Sequence, residues 1–148
     1  MSMRILITTL SAMVLTAAIL LSKTVPLAPK ESDVVGTWVG FTSEANNFYR
    51  IVLRKQGGLL AQGFGDAAPA LYRIESWSLD TKSKLSIRTS QISTNAYPMR
   101  AEGSATTSRL DLKFMGMEGG WMREVSMHRE DLIKRRITAL ESAMQEIK

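Results

Sequence analysis

Four polar side chains, Gln62, Thr89, Gln91 and Arg123, fall at positions where the alternation of this chain otherwise places apolar residues on one face. Around them on the same face stand Trp38, Tyr49, Phe64, Phe114 and Trp121. Apolar walls with a few convergent polar groups make up a small-molecule site, and equally a protein core. A guanidinium drawn inside must be paired. Arg123 therefore either packs within the fold, on Trp38 or against Glu75, or clamps the carboxylate of a ligand. Gln62 and Gln91 either orient a ligand or sit in water at a rim. The candidate ligand-binding set is Trp38, Tyr49, Gln62, Phe64, Gln91, Phe114, Trp121 and Arg123.

Other chemistries find little support. A nucleophile needs a base beside it, and the single histidine, His128, falls on the outward parity at a strand end. Glycoside chemistry needs two inward carboxylates, and Glu75 alone is placed for that role. With one histidine and no cysteine, neither a Cys-ligated zinc nor a multi-histidine metal site can be built from one chain. Gly57-Gly58 and Gly119-Gly120 lie between strand patterns, which makes them hairpin glycines and not a phosphate loop opening a helix. The expectation is a non-enzyme with no catalytic residue, metal or cofactor. Outward Arg50, Arg54, Arg88, Arg100, Arg109 and Lys113 could form a basic stripe, but Glu102, Asp111 and Glu124 interleave with it, which argues against a nucleic-acid partner.

These residues need a scaffold, and the chain offers one. At 148 residues it holds a single domain by length, with net charge +5 spread along the sequence. Residues 5–21 are seventeen uncharged positions between Arg4 and Ser22-Lys23. As a helix they span roughly 25 Å, short but within membrane range. They read as an uncleaved anchor or as a cleaved signal, the small residues Thr16 and Ala18 lying inside the apolar run. Either option exports the remainder of the chain, so the domain is expected outside the cytoplasm, anchored to a membrane or secreted, in a periplasm or extracellular space. Residues 23–33, with Pro26, Pro29 and mixed charges, read as an extended linker.

From residue 34 to 129 the pattern is a meander. Eight strands are expected at 34–42, 48–56, 59–65, 70–79, 84–92, 97–105, 109–117 and 121–128, separated by turn chemistry every eight to fifteen residues. The seventh is the clearest: Leu110, Leu112 and Phe114 point one way, Arg109, Asp111 and Lys113 the other. In the fourth, Tyr72 and Ile74 share one parity, Trp77 and Leu79 the other, which predicts a bulge near Glu75-Ser76. Pro98 delays or edges the sixth. Consecutive hairpins with one apolar face favour an all-β, eight-stranded, antiparallel up-and-down barrel. Residues 130–148 then read as a helix with a narrow apolar seam of Ile133, Ile137, Leu140, Met144 and Ile147. The seam either docks outside the barrel or pairs with a protein partner or a second copy.

Gly36-Thr37-Trp38 opening the first strand, the eight-strand meander, an inward Arg123 on the last strand and a helix after it resemble the lipocalin-like (calycin) superfamily. The resemblance implies a barrel closed at one end by Trp38, with Arg123 stacked across its indole, and a small hydrophobic or amphipathic ligand inside. The barrel region is short, ninety-five residues from Val34 to His128. Eight strands enclose an interior that is either filled by side chains or just wide enough for one small ligand. Two functions stay open at this point. One is an exported or anchored domain binding such a ligand at the cell envelope. The other is a filled-barrel envelope interaction protein that works through its outer face or its last helix.

Overall fold

The computed structural model describes residues 27–42 and 47–145. The apolar run at 5–21, the start of the linker and Ile147 lie outside the described residues. Eight strands succeed one another in order: β1 (Gly36–Phe41), β2 (Asn47–Leu53), β3 (Gly58–Phe64), β4 (Ala70–Leu79), β5 (Lys84–Gln91), β6 (Met99–Ala105), β7 (Arg109–Gly116) and β8 (Met122–Arg129). Each pairs antiparallel with its sequence neighbours, and β1 closes on β8 with Trp38 opposite Arg129 and Phe41 opposite Ser126. Closure leaves no unpaired strand edge, so every strand gains a partner on both sides.

The alternation is what makes these segments strands. In β7, Leu110, Leu112 and Phe114 are buried while Arg109, Asp111 and Lys113 are exposed. In β2, Tyr49, Ile51 and Leu53 point in. Inward side chains from all eight strands fill one core, the largest fully buried being Trp38, Tyr49 and Phe114. The predicted bulge is present. The register slips between Ile74 and Ser76, so Glu75 is the extra residue of β4 and is exposed. That removes Glu75 from the interior both as a partner for an inward arginine and as an inward carboxylate.

The backbone requires glycine at two places. Gly57 and Gly58 turn β2 into β3 at φ +69° and +153°, a conformation L side chains rarely take. Gly103 of β6 faces β7 so closely that a Cβ would run into the Asp111 carbonyl, with Asp111 C at 2.8 Å and Leu112 Cα at 2.9 Å. Gly103→Ala is therefore expected to cost about 2 kcal/mol or more through backbone displacement in the sheet. It would be seen as a lower urea midpoint with an unchanged slope.

Three details depart from the sequence reading. The first strand begins at Gly36, because Glu31–Val34 forms a four-residue helix, α1, at the end of the stretch read as linker. Its turn is held by the Lys30 N–H donating to Asp33 Oδ2 at 2.9 Å, and it drives Val34 into the core. The sixth strand, expected from residue 97, starts at Met99, since Pro98 cannot donate to the ladder, and Tyr97 stands 74% exposed. The last helix, α2 (Glu130–Gln145), buries none of its residues. Only its base is tied down, by Arg50 donating to Glu130 Oε2 at 3.0 Å, with Leu132 and Ile133 half-buried. Ile137, Leu140 and Met144 are exposed, so the seam as a whole does not dock on the barrel.

Candidate functional site at the open end of the barrel

The two ends of the barrel differ. At one end, which we call the floor, β1 begins and β8 finishes, and α1 lies across the opening. Trp38 is fully buried there, and its indole Nε1 donates to the Val34 carbonyl at 2.9 Å. The guanidinium over the indole belongs to Arg129, with its carbon 4.8 Å from the ring centroid. Arg129 also donates to the Thr107 carbonyl at 2.9 Å and to the Asp33 carbonyl. One side chain thus ties α1, the β6–β7 turn and the end of β8 to Trp38. The expected role of Arg123 at this place is corrected. Arg123 is opposite Phe114 in the ladder, six residues back along β8 from the residue that faces Trp38. At about 3.3 Å per residue that is roughly 20 Å away.

Arg123 belongs to the other end, the mouth, where β3 and β5 finish and β4 and β8 begin. A cleft of about 360 Å³ opens there, lined by Gln62, Phe64, Tyr72, Asn95, Tyr97, Trp121 and Arg123. Volume does not single it out, since a cleft of about 340 Å³ lies on the outer face beside Arg109 and Ser126. Its lining does. Beneath it the inward polar groups satisfy one another: Gln62 Nε2 donates to Tyr49 Oη at 2.7 Å, and Tyr72 Oη donates to Gln62 Oε1 at 3.3 Å. Tyr49 is stacked on Phe114, with centroids 4.7 Å apart and planes 16° from parallel. Thr89, a buried polar side chain like Gln62 and Asn47, donates its hydroxyl to the Met99 carbonyl at 2.6 Å.

Arg123 is left over. Among the described residues it makes no hydrogen bond or ion pair, and it is half-buried. Its charge is felt by Tyr49. Burial pushes the Tyr49 phenol above the ordinary value, and the Arg123 guanidinium and the Gln62 hydrogen bond only partly offset this. Burial raises Tyr72 as well, against a backbone hydrogen bond at Tyr97. Both folded-state values are raised above the unfolded one. The stability these phenols contribute is therefore complete below the ordinary value of 10.0 and is lost as pH rises through the raised values. Ultraviolet titration of the native chain should show two tyrosines ionising later than they do in denaturant. Ionisation of both at the denatured value would contradict their burial.

Of the eight residues singled out from the sequence, Gln62, Phe64, Trp121 and Arg123 line the cleft. Tyr49 and Phe114 are fully buried just behind Gln62. Trp38 is at the opposite end. Gln91 is exposed at the end of β5, donating to the Ser93 carbonyl at 2.9 Å. Sequence reasoning left Tyr72, Asn95 and Tyr97 out of the set. Tyr72 carried a signal, because it shares the inward parity of Ile74 and sits opposite Leu60, two residues from Gln62. Asn95 carried none, lying in a loop where it donates to the Ala68 carbonyl at 3.0 Å. Among the described residues no group of three or more His, Cys, Asp or Glu is placed to hold a metal ion. No protein-family model matches this chain, and no curated protein or solved structure matches it either.

Proposed function

We propose that this is a non-enzymatic, lipocalin-like barrel that holds a small amphipathic molecule at its open end, in the envelope of the cell, delivered or tethered there by the apolar run at residues 5–21. The observation that carries the reading is the half-buried Arg123, unpaired among the described residues and set in a cleft walled by Phe64, Tyr72, Tyr97 and Trp121. Burying a guanidinium without a counter-charge is costly; a partly desolvated one carries some of that cost, and a ligand anion would offset it with a bidentate hydrogen bond. The aromatic walls suit the apolar part of the same molecule. Because the core beneath is filled by side chains, the ligand sits in the mouth and not deep in the barrel.

The reading is tested by titrating the full chain with short-chain amphiphiles that differ only in head group, following tryptophan fluorescence in a Trp77→Phe background, where Trp121 is the indole at the cleft. The carboxylate is expected to bind about tenfold or more tighter than the alcohol, a difference of about 1.4 kcal/mol, and the ammonium weakest. Equal affinities across the set would contradict it.

A second reading rests on a different observation. Ile137, Leu140 and Met144 form an exposed apolar seam on α2, which suits association with a protein partner or a second copy. A clean oligomer that dissociates when Ile137 and Leu140 are changed to serine would favour that reading.

A further inference from the structure

In the floor turns of this barrel basic side chains outnumber acidic ones. The floor turns carry Arg54 and Lys55 between β2 and β3 and Lys82 between β4 and β5, all exposed and none in an ion pair among the described residues. The carboxylate in the second of these turns, Asp80, is turned to the backbone, accepting from the Lys82 and Lys84 N–H groups at 2.8 Å each. α2, which starts at the floor, carries Lys134, Arg135 and Arg136 against Glu130, Asp131 and Glu141, and α1 carries Glu31 and Asp33 beside Lys30, so the basic excess of the floor lies in its two strand turns. The mouth differs: its one basic group in the cleft, Arg123, is half-buried. Its turns at residues 65–69 and 117–121 and its loop at 92–98 contain no Lys or Arg, and their only charges are Asp66 and Glu118.

A second observation points the same way. The chain enters the described structure at Leu27 and passes directly into α1, which Arg129 holds against the floor through the Asp33 carbonyl. Whatever precedes it therefore reaches the barrel at the basic end. The nine residues between the apolar run and α1 span at most about 30 Å when fully extended.

We infer that the floor is a docking surface for an anionic lipid headgroup layer, so that the barrel stands floor-down on the membrane and its mouth opens away from it. The inference rests on the reading of residues 5–21 as a tether. Basic side chains are attracted to an anionic leaflet within a Debye length, about 8–10 Å, and a linker of this length lets the floor reach that layer. The exposed carboxylates of the mouth turns, Asp66 and Glu118, are repelled from the same surface, while the guanidinium at that end, Arg123, is half-buried in the cleft. The ligand then enters from the aqueous side and not from the anchoring leaflet.

The chain contains no cysteine, so single labels can be placed without altering a native thiol. Full-length protein carrying a fluorophore at Thr81→Cys (floor) or Ala67→Cys (mouth) would be reconstituted into phosphatidylcholine vesicles, with or without phosphatidylglycerol, containing a headgroup-attached quencher. The floor label should be quenched several-fold more than the mouth label, and phosphatidylglycerol should widen the difference. Arg54→Glu, Lys55→Glu and Lys82→Glu together should abolish the effect of phosphatidylglycerol while the protein still floats with the vesicles. Flotation with equal quenching at both labels, or with no response to phosphatidylglycerol, overturns the docking surface alone. Failure to float with either vesicle overturns the tether as well, and the inference with it.

Discussion

Trp38→Ala is expected to destabilise the barrel by about 3–5 kcal/mol, enough to leave a domain of this size largely unfolded at mild denaturant. Three losses coincide. The fully buried indole leaves a cavity at the floor, the Val34 carbonyl loses its donor, and Arg129 loses the ring it covers. Trp38→Phe keeps most of the volume and the cation–π face, and gives up the hydrogen bond, so it should cost about 1–2 kcal/mol. Urea unfolding of the two variants measures both. Near-equal losses would place the value of Trp38 in its hydrogen bond and not in packing. Arg129→Met should fall between them, since it releases α1 and the β6–β7 turn from the end of β8 but opens no large cavity.

Arg123→Met is expected to do the reverse: to lower ligand affinity about 30-fold or more while leaving stability within about 1 kcal/mol of the parent. The affinity loss corresponds to about 2 kcal/mol, the usual scale for a charge-assisted hydrogen bond that is partly desolvated. Stability should hold because no hydrogen bond or ion pair within the described structure depends on this guanidinium. Methionine also retains an unbranched apolar stem in the cleft that Trp121 lines. Arg123→Lys separates charge from geometry. If it restores only part of the affinity, the fork of the guanidinium is what the ligand uses. An Arg123→Met variant that unfolds by 3 kcal/mol or more would assign Arg123 a structural role instead.

The contrast between these two arginines shows what the sequence carries and what it lacks. Arg123 and Arg129 have the same parity on β8, so alternation places both inward and cannot say which one meets Trp38. That choice is made by the closure register, Trp38 opposite Arg129, which pairs the first strand with the last across most of the chain. Local patterns do not contain such long-range information. Where the evidence is local, the sequence is readable. The alternation of Leu110, Leu112 and Phe114 marks β7, the parity break between Ile74 and Trp77 marks the bulge, and the paired glycines mark the β2–β3 and β7–β8 turns. The α2 seam is legible as a period, but its partner is not, because a period of 3.6 residues says which face is apolar and nothing about what covers it. Within the site, Gln62, Phe64, Trp121 and Arg123 were readable as inward or near-inward strand positions. Tyr97 was displaced by a proline that shortened its strand, and Asn95 reaches the cleft through a loop whose path no periodicity describes.

The charge at the base of α2 obeys the same logic. The Lys134 ammonium and Arg50 hold the Glu130 carboxyl below its ordinary value despite some burial. A carboxyl with a depressed folded value contributes stability above its unfolded value and loses it as pH falls through the folded one. Acid should therefore release the first turn of α2 from Arg50 of β2 as pH falls through that lowered value, to be read as a loss of helical circular dichroism that Glu130→Gln shows already at neutral pH.

Native mass spectrometry of the full chain, purified gently from its own host, tests ligand capture at the mouth most directly. The expected result is a stoichiometric adduct on each chain, an amphipathic molecule with an anionic head, that disappears from the Arg123→Met variant while the folded charge-state distribution stays the same. A folded chain that carries no adduct, or one whose adduct survives Arg123→Met undiminished, would contradict a ligand held by Arg123.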